Sequence, residues 1–301
     1  MLQALFVTFL WSTSWVLIKI GLVDIPALTF AGLRYSLAFL CLLPLALQPA
    51  QRLYFARLAR RDWAPLILLG LLFYAVTQGA QFVGLLYLPA MTVSLLLNFT
   101  SLLVAWLGIL FLSERPTRLQ WAGLGLFLLS LLVYFYPVSF PAGQAIGLAV
   151  VVAGVIANAL SAVLGRQINR SRTIQPLIVT TISMGAGAAA LLGVGLATQG
   201  LPALSLGHWA IIAWLAVVNT AFAFTLWNHT LRTLSAMESS IINSTMLIQI
   251  AILAWWFLGE GLTWQKVAGL ILAGLGTLVV QLRPRKQRLI KSTRPDIRTS
   301  A

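Results

Sequence analysis

Charge is what this sequence has least of. Only 9% of its 301 residues are Asp, Glu, Lys or Arg, against about 25% in an ordinary soluble domain. Hydrophobic residues make up 60%, and together these figures exclude a water-soluble fold. Acids number six, and none falls in the middle of an apolar run. Asp24, Asp62 and Asp296 sit in loops or the tail, and Glu114, Glu238 and Glu260 at run ends. Carboxylates within the membrane are the usual proton relays of coupled pumps, so their absence argues against that mechanism. The two histidines, His208 and His229, also lie near run ends. The single cysteine, Cys41, can make no intrachain disulfide. There is no Cys/His cluster, no pair of mid-depth carboxylates and no Gly-rich phosphate loop followed by Lys. No metal, cofactor or catalytic constellation is expected, and the chain is read as not an enzyme. A membrane enzyme is the different-class alternative, and it would have to rest on His229 with Glu238 at one membrane surface.

What is there is a series of apolar runs, each long enough to cross a bilayer, which takes about 20 helical residues. Ten spans are expected, roughly 3–22, 28–47, 64–86, 90–112, 119–136, 146–165, 177–198, 208–231, 237–258 and 264–282. The runs are continuous rather than alternating, so helices satisfy the backbone where lipid offers it no partner. Prolines 26, 49, 89, 116, 137, 141, 176 and 202 mark the joints. The first run has no basic leader and no clear small-residue cleavage site, and it is read as an uncleaved span.

The net charge of +14 speaks for membrane orientation and against nucleic acid, because of where the cations lie. Seventeen of the twenty Lys and Arg residues fall on one side of this ten-span arrangement. Only Lys19, Arg34 and Lys266 remain on or near helices at the other. Positive-inside then places both termini in the cytoplasm of a plasma (bacterial inner) membrane. The basic tail, 283–301, is expected to be disordered over anionic headgroups of the lipid bilayer.

The sequence is also doubled. Ala90–Gly123 recurs without a gap as Ala236–Gly269, an offset of 146 residues, from Glu114 to Glu260. Ala90, Met91, Ser94, Ala105, Leu107, Phe111, Leu112, Glu114, Thr117 and Ala122-Gly123 all have identical residues at the second site. Polar and glycine identities at one register mark a duplicated half-chain. Five spans per half is an odd number, so the halves face opposite ways. The expected fold is an all-α integral membrane protein of ten transmembrane helices in two inverted five-helix repeats, 1–140 and 141–282. Such repeats are a route to alternating access around a site near the midplane.

These residues carry a family resemblance. Glu114 with Gln120 and Gly123, Glu260 with Lys266 and Gly269, Leu10-Trp11-Ser12, and Phe30-Ala31-Gly32-Leu33-Arg34-Tyr35 resemble the EamA-type drug/metabolite transporters. The resemblance covers residues 1 to about 282. It implies a ten-helix inverted-repeat transporter that exports small metabolites such as amino acids. One departure is that the proline often found midway through spans four and nine is replaced here by Phe99-Thr100 and Thr245-Met246.

A solute site is expected at mid-depth, lined by groups that lipid would penalise unless they are paired. Tyr74, Gln78 and Gln81 share one face of span three, and Ser94, Asn98 and Ser101 one face of span four. Span nine offers Asn243, Gln249 and the equivalents Ser240 and Ser244. Span one offers Trp11, Ser12, Ser14 and Trp15, span six Asn158 and Ser161, and span eight Asn219, Phe224, Trp227 and Asn228. The bland alternative for each is an interhelical hydrogen bond. As a set they suit a neutral or zwitterionic small molecule such as an amino acid, with a lipophilic compound or drug as the alternative solute. Ser94/Asn98 and Ser240/Ser244 are expected to meet across the pseudo-two-fold axis. Charges at span ends are candidate gates: Glu260 with Lys19 or Arg34 on the outer side, and Glu114 with Arg166 on the inner. The bland alternative is that both glutamates cap helix ends. Arg34, about two turns inside span two, either snorkels outward, closes the outer gate or meets a solute carboxylate.

Overall fold

The computed structural model describes residues 2–49, 51, 55, 58–100, 102–104, 106–107, 117–136, 143–170, 174–230 and 236–281. Its helices are α1 (Leu2–Gly21), α2 (Ala27–Ala46), α3 (Arg60–Tyr87), α4 (Ala90–Asn98), α5 (Arg118–Phe135), α6 (Gln144–Arg170) and α7 (Pro176–Gln199). Then come α8, which runs from Leu206–Ala216 through Ala223–Thr230, α9 (Ala236–Leu258) and α10 (Trp264–Gln281). No strand occurs among the described residues. The protein is therefore an all-helical, multi-pass membrane fold of ten helices. Five of them are long and apolar enough to span a bilayer by themselves.

The helix ends follow from local sequence. Pro26 and Pro89 precede α2 and α4, and Pro176 opens α7 where its missing N–H costs nothing. Ser205 caps α8, its Oγ accepting from His208 N at 3.3 Å. Gly200 and Gly259, with φ of 71° and 65°, end α7 and α9 in the left-handed conformation that glycine adopts without steric penalty.

Helices of one half pack mainly on helices of the other: α2 on α7, α5 on α10, α1 on α8 and α9, and α3 on α6 and α7. Under the 146-residue register, α2/α7 and α5/α10 are self-equivalent pairs, as a two-fold axis between inverted repeats requires. Glycine makes the closest of these contacts possible. A Cβ on Gly187 would lie 2.3 Å from Gly70 O, one on Gly195 2.6 Å from Thr29 N, and one on Gly276 2.7 Å from Phe127 N. Gly193 and Gly274 face open space.

Two helices change pitch at mid-length. Leu71–Thr77 of α3 and Val217–Phe222 of α8 are π-helical, and they begin 146 residues apart. Each inserts a wide turn that displaces carbonyls from the regular ladder, a feature concentrated at functional sites. A threonine hydroxyl recovers one such carbonyl in each. Thr77 Oγ1 donates to Leu72 O and Thr220 Oγ1 to Leu215 O, both at 2.8 Å and both five residues back. The helices that lack the family's mid-span proline differ from each other. The α4 ladder breaks at Phe99, whose N–H donates to Leu96 O at 3.0 Å, whereas α9 runs unbroken through Thr245 and Met246.

The even number of spans puts the start of α1 and the end of α10 at one end of the bundle, called here the terminal face. The far face carries residues 22–26, 88–89, 136, 143, 200–205 and 259–263.

Candidate functional site: a mid-span polar belt under a stitched far face

The far face is held by side chains that bind helix ends. After Gly259, Glu260 N donates to Ala254 O at 3.3 Å and closes α9. The same residue's carboxylate accepts from Ala90 N and from Met91 N (3.1 Å), at the start of α4 in the other repeat. Free N–H groups and the helix dipole make that end an anion site. Lys19 Nζ donates to Leu85 O and to Leu88 O (2.9 Å), the last carbonyls around the end of α3, where a cation is favoured. The turn Leu88–Pro89 is thus gripped on both sides. Gln199 Oε1 accepts from Leu28 N at 2.8 Å and Thr29 N at 3.4 Å at the start of α2. Gln265 Nε2 donates to Val133 O at 2.8 Å and to Tyr136 O beyond α5. His208 Nε2 and Asp24 Oδ2 lie 3.2 Å apart.

Glu260 therefore makes no direct ion pair with Lys19 or Arg34 among the described residues; each of the three has a different partner. Both far-face charges go to backbone, because a helix end offers a partial charge already oriented and needs no second side chain to be ordered. Of the matching terminal-face candidates, Glu114 and the Arg166 side chain lie outside the described residues. So do Ser101, the basic tail and the side chains of Asn228, His229, Glu238, Ser240 and Ser244.

Below this stitching lies a belt of polar side chains at mid-span. Ser12 Oγ donates to Gln249 Oε1 at 3.0 Å, and Gln249 Nε2 reaches Thr245 Oγ1 at 3.0 Å and Thr8 Oγ1 at 3.2 Å, tying α1 to α9. Asn219 Nδ2 donates to Leu10 O and to Thr13 Oγ1 (3.1 Å), tying the α8 π-segment to α1. Tyr35 Oη donates to Gln78 Oε1 at 2.7 Å, and its ring sits 5.5 Å from that of Tyr74. Asn158 Nδ2 donates to Thr100 Oγ1 at 3.1 Å, between α6 and the α4 continuation. Trp11 stands 5.3 Å from Phe224 and 5.2 Å from Trp227, ring centre to ring centre. Two polar atoms of the belt are buried without a partner, Trp11 Nε1 and Asn219 Oδ1.

The belt gathers Trp11 with Trp227, and Tyr74 with Gln78 through Tyr35. Asn158 pairs with Thr100. Other expected residues turn back on their own helices. Ser14 donates to Trp11 O, Ser94 to Met91 O, Asn98 to Ser94 O and Ser161 to Asn158 O. Ser94 is nearly fully buried, while Asn98 and Gln81 are half-buried. Asn243 behaves differently. It lies on the α9 face of Leu247, Ile250 and Ala254, all buried, yet is itself exposed. Exposure on this face of α9 thus begins one turn before Leu247, toward the terminal face. Sequence reasoning missed Thr8, Thr13, Tyr35, Thr100 and Thr245 as members, and Thr220 on the α8 π-segment. The signal for Thr220 was its register, since it is the repeat equivalent of Tyr74.

An apolar groove of about 600 Å³ also runs between α1, α8 and α9, lined by Phe9, Val16, Ile20, Trp214, Leu253 and Phe257 among others. Several of these are exposed on the bundle surface, so the groove faces the lipid and not the belt.

This architecture has relatives. The uncharacterized transporter YyaM of Bacillus subtilis (strain 168) is 26% identical over 231 residues, 73% of each chain. YvbV, an uncharacterized transporter of the same organism, is 32% identical over 119 residues, 40% of this chain and 38% of that one. A crystal structure 16% identical superposes with a TM-score of 0.65, covering 92% of this chain and 96% of that one, a likeness of fold alone. The EamA-like transporter family matches residues 1–136 and 145–282. One match on each repeat agrees with the doubled register and the ten helices: the chain belongs to the EamA-like transporter family.

Proposed function

We propose that this transporter exports a small neutral or zwitterionic metabolite, an amino acid or a close analogue, from the cytoplasm. The observation that carries the reading is the belt, in which amides, hydroxyls and an indole from both repeats converge at the depth of the paired π-segments. Such groups suit a solute that is polar at one end and carries no large net charge. A polyanion would call for several basic groups at this depth, and Arg34 is the one cation there among the described residues.

The mechanism is alternating access between the inverted repeats. The distribution of Lys and Arg supports a terminal face in the cytoplasm of the inner membrane, and the far face is then the outward side. The far-face caps are then the outer gate. Outward opening separates Glu260 from the start of α4 and Lys19 from the end of α3. No step uses a carboxylate relay, which leaves facilitated export or exchange.

The test is flux. Purified protein in proteoliposomes should release preloaded radiolabelled amino acids from a panel of the twenty, and an expressing strain should resist toxic amino-acid analogues. Protein that moves no amino acid in either direction would overturn the solute class. Equal movement of lipophilic cations would favour a drug exporter instead.

A further inference from the structure

Arg34 is 5% exposed and sits in the second turn of α2, level with the α8 π-segment. Its Nε and Nη2 both donate to one oxygen, Thr220 Oγ1, at 3.3 and 3.2 Å. Its guanidinium carbon lies 5.1 Å from the Tyr35 ring centre and 6.0 Å from that of Phe82. No carboxylate is within ion-pair distance among the described residues, and Nη1 has no protein acceptor there. Asp24 faces His208, Asp62 caps its own helix at Ala59 N, and Glu260 holds Ala90 and Met91. A hydroxyl and two ring faces do not replace the water a buried cation has lost. An ionisable group at this depth marks a functional site.

Holding the π-turn does not explain it. Thr77 recovers its carbonyl in the first repeat with the same five-residue bond and with no arginine donating to its oxygen among the described residues, so Thr220 needs no arginine to do so. Nor is the charge a symmetric scaffold element, because the repeat equivalent of Arg34 is Thr180. One residue before Thr220, Asn219 presents a buried oxygen with no partner. Asn219 turns to α1 and Thr220 to α2, so the π-segment offers Arg34 a hydroxyl and no anion.

We infer that Arg34 is the binding point for the carboxylate of the transported solute. The inference rests on the transport reading above and deepens it by naming which group meets the acid end of the molecule. Guanidinium and carboxylate match as planar forks. Thr220 holds two donors in place and leaves Nη1 to the solute.

The experiment has a binding arm and a transport arm. In the first, the full chain is purified in detergent and its thermal midpoint measured with sodium propionate, propionamide and sodium chloride at matched concentration. Propionate should raise the midpoint above both controls, Arg34→Gln should abolish that difference, and Arg34→Lys should keep part of it. Equal effects of propionate, propionamide and chloride on the wild type would overturn the inference, as would an undiminished propionate effect in Arg34→Gln. The wild-type acid-against-amide comparison decides even if Arg34→Gln does not fold. In the second arm, proteoliposomes carry labelled leucine, with leucinamide and isopentylamine as competitors. Both should compete about tenfold more weakly than leucine, the worth of a charge-assisted bond. Leucine flux with equal competition would leave transport standing and overturn the Arg34 site. Propionate stabilisation that depends on Arg34, without amino-acid flux, would support the site and overturn the solute class.

Discussion

The two π-segments occupy the same place in the duplicated chain and are used differently. Leu71–Thr77 is pressed against α7, with Gly70 and Gly187 meeting backbone to backbone. Val217–Phe222 faces α1 and α2 with Asn219 and Thr220, both wholly buried. At the positions equivalent to the glycine pair, 146 residues away in each case, stand Ala216 and Cys41. One copy has become a close-packed pivot and the other a polar contact. Duplication supplied the geometry twice, and divergence gave each copy one task.

The largest effect expected from breaking this contrast is at the pivot. Gly187→Leu places a side chain where Gly70 O already stands, and it should cost about 3 kcal/mol, the upper end for overpacking. Thermal melts in detergent check it. Cys41→Leu at the equivalent position should cost clearly less, and an equal loss would mean the two halves pack alike. Next comes the threonine pair. Thr220→Val leaves Leu215 O unpaired and removes the acceptor of Arg34, so about 2 kcal/mol is expected. Thr77→Val leaves only Leu72 O unpaired and should cost about 1 kcal/mol. The difference between the two midpoints measures what Arg34 adds to the second segment. Lys19→Met should cost about 1 kcal/mol by uncapping α3 and should speed solute exchange in liposomes, since the turn after the first segment's helix is freed. The smallest effect serves as a control outside both segments. Gln249→Leu breaks the α1–α9 network and should cost about 0.6 kcal/mol, typical of interhelical bonds in membranes.

Much of the architecture was legible because lipid reads the same variables that a sequence displays. Apolar run length and proline joints mark the spans without any knowledge of packing. The inverted repeat was legible because Glu114 and Glu260 keep one register. The site was legible by composition and less so by membership. Ser94, Asn98 and Ser161 look like lining residues, yet a hydroxyl or amide on a helix can bond the carbonyl three or four residues back, and these do. The π-turns leave no trace in hydropathy, since one added residue per turn changes no apolar count. Arg34 looked free to snorkel. Its inward course depends on Thr220, 186 residues away in sequence, and on rings that only tertiary packing places beside it. Glu260 and Lys19 invited pairing by charge, while the helix ends that they bind carry no formal charge at all.

The grip of Glu260, Lys19, Gln199 and Gln265 on backbone has a kinetic meaning. Each of the four makes two bonds to main-chain atoms, and three of them join residues from different halves of the chain. A joint of this kind, the outer gate in the proposed mechanism, does not unzip one contact at a time, because rigid helices carry all the bonded groups together. Turnover should then be limited by this concerted rupture, with a steep temperature dependence and a rate nearly the same for every solute that binds.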